Sequence, residues 1–187
     1  MPKSLTEGLE TEAFKLAVSP SHLLHRAEQL AAVRFTQLVG SSVTLRQFAV
    51  LAAIAESPGL SQAELSAATG VDRSTLADMM SRMQKRGWIT RTTSPKDARA
   101  HSVRLAASGV TILAAATQHA RAADAAVLDL LPRAKRRSFL NTLTKLLRLA
   151  DEAAAREAKR QAKRDARARA RPRKRRARRG AARRDRA

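Results

Sequence analysis

Between Val43 and Leu76 the chain carries three helix starts in succession, and this restricts its fold more than any other feature. In each start an apolar residue precedes a polar cap, and a second apolar residue follows five positions after the first, a pairing that fixes the angle at which a chain enters a helix. The sets are Val43, Thr44 and Phe48; Leu60, Ser61 and Leu65; and Val71, Asp72 and Leu76. Thr44 with Gln47 and Ser61 with Glu64 also complete capping boxes, which satisfy backbone donors at both ends of the box. Stops follow at Pro58-Gly59, Gly70 and Gly87. These signals predict helices over 44–57, 61–69 and 72–86, packed as a tight trihelical unit.

Both flanks add further elements. Residues 1–18 show no period and read as a mobile arm. Ser19-Pro20 places a cap before a proline at the first helical position and opens a helix to about Val39. Leu24, Ala27, Ala31, Phe35 and Leu38 recur on one face of it, widened by Leu23, Leu30 and Val33. After Gly87 the period changes to two: Ile89 and Arg91 alternate with Thr90 and Thr92, and Val103 and Leu105 with Ser102 and Arg104. Ser94 to Ala100 reads as a long basic loop between two short strands. A helical pattern resumes from Ser108 to Leu131, and Pro132 opens another, with Phe139, Leu140, Leu143, Leu146, Leu147 and Ala150 as its stripe.

Two short helices joined through Gly70 and followed by a basic hairpin are the parts of a winged helix-turn-helix. The expected fold is mainly α: a winged helix-turn-helix over 44–106 with a two- to three-stranded β wing, plus N- and C-terminal helices over 19–43 and 107–155 whose broad apolar faces need a partner surface. In such motifs the second helix enters the major groove. Leu76, Met79, Met80 and Met83 give that helix a core face; Arg73, Ser74, Thr75, Asp78, Ser81 and Arg82 cover the other. Arginine can take a guanine edge through two hydrogen bonds, and serine or threonine can bond to bases or phosphates. Ser61 and Gln62, at the start of the preceding helix, join these candidates. Asp78 either accepts from a cytosine amine or pairs with Arg82 one turn on, and the pair is the better reading. Trp88 is expected to pack the recognition helix onto the hairpin.

Charge supports a polyanionic partner. The 187 residues hold 37 Lys and Arg against 16 Asp and Glu, a net +21. From Arg156 to Ala187 there are 17 basic and 3 acidic residues, so a globular body carries a basic tail. Alanine, arginine and lysine at that density cannot build a core, and the tail reads as disordered in isolation, its Ala-rich start able to extend the last helix toward Pro172 once its charges are neutralised. Such tails bind nucleic acid by counterion release, so losing residues 156–187 should weaken all DNA binding and leave site preference intact. With five aromatics and no tyrosine, a base-stacking platform is poorly supplied.

Other functions lack their residues. No cysteine is present, which excludes disulfides, thiolate metal sites and thiol redox switches. There is no Gly-rich phosphate loop, no His-x-x-x-His spacing and no nucleophile elbow, so neither an enzyme nor a cofactor is expected. Met1 to Ser21 lacks an apolar signal region, and no apolar run reaches 18 residues, so a soluble cytoplasmic protein with no membrane partner is expected.

The run Val71-Asp72-Arg73-Ser74-Thr75-Leu76, then Met83-Gln84-Lys85-Arg86-Gly87-Trp88-Ile89-Thr90-Arg91, Pro95-Lys96-Asp97-Ala98-Arg99 and Val103-Arg104-Leu105 closely resembles the MarR family of bacterial transcriptional regulators. The likeness is specific from about Thr44 to Leu105, and one helix before it and two after it fit the family plan. The resemblance implies a homodimer whose outer helices interleave and hold two winged domains over a pseudo-palindromic operator in double-stranded DNA. It implies that Arg99, with Lys96 beside it, lies in a wing reaching the minor groove. Asp97 would then orient that arginine or pair with a neighbouring one; otherwise it is a turn-former. It further implies a small, often anionic aromatic effector in a crevice lined by the first two helices, for which His22, His25, Arg26 and Arg46 are candidates beside ordinary surface or dimer roles. His22 and His25 lack a third ligand, so no metal is expected. Two departures stand out. Peroxide sensing through cysteine is excluded, and Ala106 replaces a common threonine before the following helix, leaving Ser108 as a substitute cap. The expected function is a dimeric repressor released by an effector; the alternative is a nucleoid-associated architectural protein dominated by its tail.

Overall fold

The computed structural model describes residues 14–94 and 97–170, with side chains for all of these except 93–94, 97–101 and 169–170. The chain divides into two compact units that meet at Leu131 and Pro132.

The first unit contains a 3-10 turn at Leu16–Val18, within the stretch expected to be an unstructured arm, followed by α1 (Pro20–Val39), α2 (Leu45–Glu56), α3 (Gln62–Thr69), α4 (Arg73–Lys85), β1 (Ile89–Ser94), β2 (Asp97–Leu105) and α5 (Ala107–Leu128). The three cap signals act as the sequence implies. Thr44 Oγ1 accepts from Gln47 N at 3.2 Å while Gln47 Oε1 accepts from Thr44 N at 3.0 Å. Ser61 and Glu64 close the equivalent box, and Asp72 accepts from Thr75 N at 2.9 Å. The staple residues Val43, Leu65, Val71 and Leu76 are buried. Gly70 takes φ +68°, a left-handed conformation that suits glycine and turns α3 into α4 within three residues. Pro20 starts α1 as expected, although the Ser19 side chain makes no cap bond to the helix backbone.

One apolar cluster joins α1 to α5 and both strands: Phe35 of α1, Val50, Leu51 and Ile54 of α2, Leu65 of α3, Leu76, Met79, Met80 and Met83 of α4, Trp88, Ile89, Val103, and Ala116, Ala120 and Ala123 of α5. Phe35 meets Phe48 with ring centroids 5.4 Å apart. The alanines let α5 lie close against α1, so these two helices are already partners within one chain.

The hairpin differs from its expected form. The segment read as a long loop over 94–100 is largely ladder: β2 begins at Asp97, and only positions 95 and 96, outside the described residues, lie between the strands. Register runs from Ile89 opposite Leu105 to Thr93 opposite His101, with an irregularity before Ser94 opposite Asp97. β-branched Thr93, opposite His101, carries the ladder one residue past the alternation that ends at Thr92. The sheet has two strands. Gly59 N donates to Val103 O at 2.9 Å and Val103 N to Leu60 O at 3.1 Å, so the α2–α3 connection supplies a short third edge.

The start of α5 also differs from its expected form. Ser108 does not cap it: the hydroxyl donates to Gly87 O at 2.5 Å, and Ala106 at the cap position has no side-chain bond to offer. The helix start is held instead by Ala106 N donating to Trp88 O at 2.9 Å.

The second unit is described as one helix, α6 (Arg133–Ala170), 38 residues long. It continues 15 residues past Ala155, where the apolar stripe ends, and follows the extension toward Pro172 that the Ala-rich start allows rather than disorder. Alanine has the highest helix propensity, and pairs one turn apart support the extension: Glu152 takes Arg148 at 2.6 Å and Arg156 at 3.4 Å, and Gln161 donates to Asp165 at 2.9 Å.

Candidate nucleic-acid interface

α4 is built to offer one face and bury the other. Leu76, Met79, Met80 and Met83 recur at three and four residues and are at most 5% exposed, which fixes the rotation of the helix about its axis. Arg73, Ser74, Asp78, Ser81 and Arg82 are left in solvent, with Thr75 half-buried at the margin. The 13-residue helix is about 20 Å long and fits a major groove roughly 12 Å wide.

Its first turn is pre-ordered. Asp72 accepts from Thr75 N and from the Ser74 hydroxyl at 2.7 Å, and these bonds, Thr75's first, hold its carboxyl far below the usual carboxylate range. Ser74 is thus engaged with the cap in the free protein. Ser61, half-buried, caps α3, and its bonds to Glu64 lower that carboxyl as well. Gln62 Nε2 donates to Arg73 O at 3.2 Å and ties the starts of α3 and α4 together, a positioning role that spacing alone did not suggest. Arg82 and Asp78 form the i,i+4 pair at 2.7 Å. At these exposures the pair is worth only a few tenths of a kcal/mol, so Arg82 is readily given up to another anion. Arg73 and Ser81 are exposed and make no side-chain bond to another described residue.

Trp88 is buried at the α4–β1 junction, with the Arg86 guanidinium 5.0 Å from its ring centroid. In the wing, Asp97 and Arg99 have β2 backbone, their side chains are not described, and Lys96 lies outside the described residues.

The effector candidates do not converge. A crevice of about 410 Å³ opens between α1, α2 and the α3–α4 turn, lined by Glu28, Leu45, Arg46, Ala49, Thr69 to Asp72 and Thr75. Arg46 alone of the four candidates lines it; His22, His25 and Arg26 sit on α1 outside its lining. The α1 residue that turns inward is Glu28, whose Oε1 meets Arg46 Nη2 at 2.9 Å. Nothing in the local pattern of α1 distinguishes Glu28, because the contact spans 18 residues. Among the described residues, no group of three or more metal-ligating side chains occurs and no helix is long and apolar enough to cross a membrane.

Comparison with known proteins places this geometry among regulators. A sequence model of the MarR family matches residues 41–100. The chain is 36% identical over 105 residues to the transcriptional regulator HosA of Escherichia coli O111:H-, covering 56% of this chain and 78% of that protein. Its fold is similar to the PcaV transcriptional regulator from Streptomyces coelicolor in complex with its natural ligand, with TM-score 0.66 and 28% identity over 74% of this chain and 98% of that one. It is also similar to the transcriptional repressor CouR bound to a 23-mer DNA duplex, with TM-score 0.63 and 28% identity over 70% and 94%.

Proposed function

Because this chain belongs to the MarR family, DNA-binding transcriptional regulators rather than enzymes, we propose that it acts as a dimeric repressor of an operator in double-stranded DNA, released by a small effector. The observation that carries the reading is the solvent face of α4, polar and basic from Arg73 to Arg82 on a helix whose rotation the buried methionines fix. Arg73 is assigned to base edges near the start of the helix. Ser74, Thr75, Ser81 and Arg82 serve bases or nearby phosphates, with Asp78 releasing Arg82 on binding. Ser61 and Gln62 contact the backbone beside them, and Lys96, Asp97 and Arg99 form the wing that reaches the minor groove.

Unpartnered apolar surface supports a homodimer. Leu23, Leu24, Leu30, Val33 and Leu38 of α1 are 37–52% exposed although Phe35 on the same helix is buried, and Phe139, Leu140, Leu146, Leu147 and Leu149 of α6 are exposed too. Burying such faces against a second copy sets two α4 helices over two half-sites of a pseudo-palindrome.

The effector reading rests on the crevice and on PcaV, solved with its natural ligand. A ligand carboxylate there would take Arg46 from Glu28 and loosen the link between α1 and α2, at the wall formed by the first turn of α4. An anionic aromatic compound suits the guanidinium, while Glu28 and Asp72 select against a second negative charge. Release requires that the effector bind the non-operator geometry more tightly; a swing from 1:99 to 99:1 takes about 10⁴-fold in affinity. His22, His25 and Arg26 take surface or dimer roles. A cytoplasmic, nucleoid-bound location accords with this function.

Footprinting on DNA flanking the protein's own gene, repeated with a panel of aromatic acids, tests the reading. A protected pseudo-palindrome lost with one acid and retained in an Arg46→Ala variant supports it. An architectural protein would bind random duplex almost as well as any site, whereas a specific regulator prefers its site by about a thousandfold or more at physiological salt.

A further inference from the structure

The second half of α6 carries its positive charge on one side. At about 100° per residue, Arg156, Lys159, Arg160, Lys163, Arg164 and Arg167 fall within an arc of about 140°, along roughly 17 Å of helix. Ala154, Ala158, Gln161, Ala162 and Asp165 occupy the opposite side, in line with Leu140, Leu143 and Leu147 about two to seven turns earlier. A partner seated on Leu140, Leu143 and Leu147 leaves these cations open, and Leu146 and Leu149, on the cation side, lie about three to four turns before Lys159. Glu152 already holds Arg148 and Arg156, but Lys159, Arg160, Lys163, Arg164 and Arg167 have no ion pair with any described residue. Five exposed, mutually repelling cations on one face are unfavourable unless a polyanion relieves them.

We infer that the face of α6 from Arg156 to Arg167 is a sequence-independent binding surface for the phosphate backbone of duplex nucleic acid. Each strand of duplex DNA presents one negative charge per roughly 3.4 Å of helix axis, so a roughly 17 Å row of six cations faces about five phosphates of one strand. Four of the six cations are arginines, whose planar forks suit phosphate oxygens. An anionic membrane fits less well, because the opposite side past Ala150 is alanine, glutamine and aspartate with no aromatic residue to enter a bilayer interface. This surface adds to the α4 interface of the proposed repressor, and it is tested on duplex of random sequence, so its failure is separable from failure of operator recognition.

The test uses the full chain carrying Lys159→Gln, Arg160→Gln, Lys163→Gln, Arg164→Gln and Arg167→Gln, substitutions that keep good helix formers. Binding to a 30-base-pair random duplex is titrated across salt concentrations. Five lost phosphate contacts make the slope of log K against log salt shallower by about 4.5. A second variant keeps composition but rotates three cations off the row: Ala158→Lys with Lys159→Ala, Ala162→Lys with Lys163→Ala, and Ala166→Arg with Arg167→Ala. Its slope becomes shallower by about 2 to 3. The parental slope in either variant overturns the inference. So does row-dependent binding to phosphatidylserine vesicles with no change on duplex.

Discussion

Gly109→Ala sets two effects of opposite sign against each other. Gly109 lies in the first turn of α5 with ordinary helical backbone, where alanine in place of glycine would favour the helix by up to about 1 kcal/mol. The space is already taken. A Cβ there would fall on the carbonyl oxygen of Trp88 and sit 2.9 Å from its carbonyl carbon and 3.3 Å from its Cα. All three are main-chain atoms that cannot swing aside as a flexible side chain would. Restoring ordinary contact requires α5 to move off by about 1 Å or more, which pulls at the 2.9 Å bond from Ala106 N to Trp88 O and the bond from Ser108 Oγ to Gly87 O. Overpacking costs about 1–3 kcal/mol and the weakened backbone bond about 1 more. Steric cost therefore exceeds propensity, and the variant should be destabilised by about 2 kcal/mol. In urea, at a fixed protein concentration because dimerisation couples to folding, the midpoint should fall by about 1 M for a slope near 2 kcal/mol/M. A midpoint equal to the parent's or higher would refute the close approach of α5 to the α4–β1 junction.

Other expectations follow from the same geometry. Thr44→Ala removes the cap of α2 and should cost about 1 kcal/mol in denaturant unfolding, while Thr44→Ser should cost far less. Leu76→Ala empties a fully buried position between α4 and the core and should destabilise by about 2–5 kcal/mol, measured by the same titration. Asp78→Ala frees Arg82 and removes a negative charge from the α4 face; it should tighten binding to random duplex several-fold at low salt with under about 0.5 kcal/mol change in stability, and weaker binding would contradict the assigned orientation. Asp72 and Glu64 have carboxyls lowered on folding, so the stability they contribute is present above their unfolded values of 3.8 and 4.5 and is lost as pH falls toward the folded ones. The thermal midpoint should therefore drop on acidification below about pH 4.5, and less steeply in Asp72→Asn than in the parent.

What could be read from the chain was local. The pairs Val43 with Phe48, Leu60 with Leu65 and Val71 with Leu76 each lie within about one turn of their cap, and they set three helix starts and the burial of α4 without tertiary information. What escaped was long-range. Ser108 looks like a cap by its neighbours, yet it is used across 21 residues by Gly87 O. Glu28 reaches Arg46 across 18 residues, a contact at the crevice that no local pattern on α1 announces. Gly59 and Leu60 pair with Val103 although neither reads as strand. The extent of α6 was open in the sequence: loss of the apolar stripe after Ala155 allowed disorder, while the Ala-rich start allowed helix toward Pro172, and alanine content with one-turn charge pairs sustains the helix to Ala170.

Selection of bound duplexes from a randomised pool, run in parallel on the parent and on the Arg73→Ala, Arg99→Ala double variant, tests the assignment of α4 and the hairpin to DNA reading most directly. The parent should yield a two-fold symmetric consensus, with preference lost in the variant at the bases facing the start of α4 and in the flanking A·T segments. Recovery of the parental consensus by the double variant would contradict that assignment.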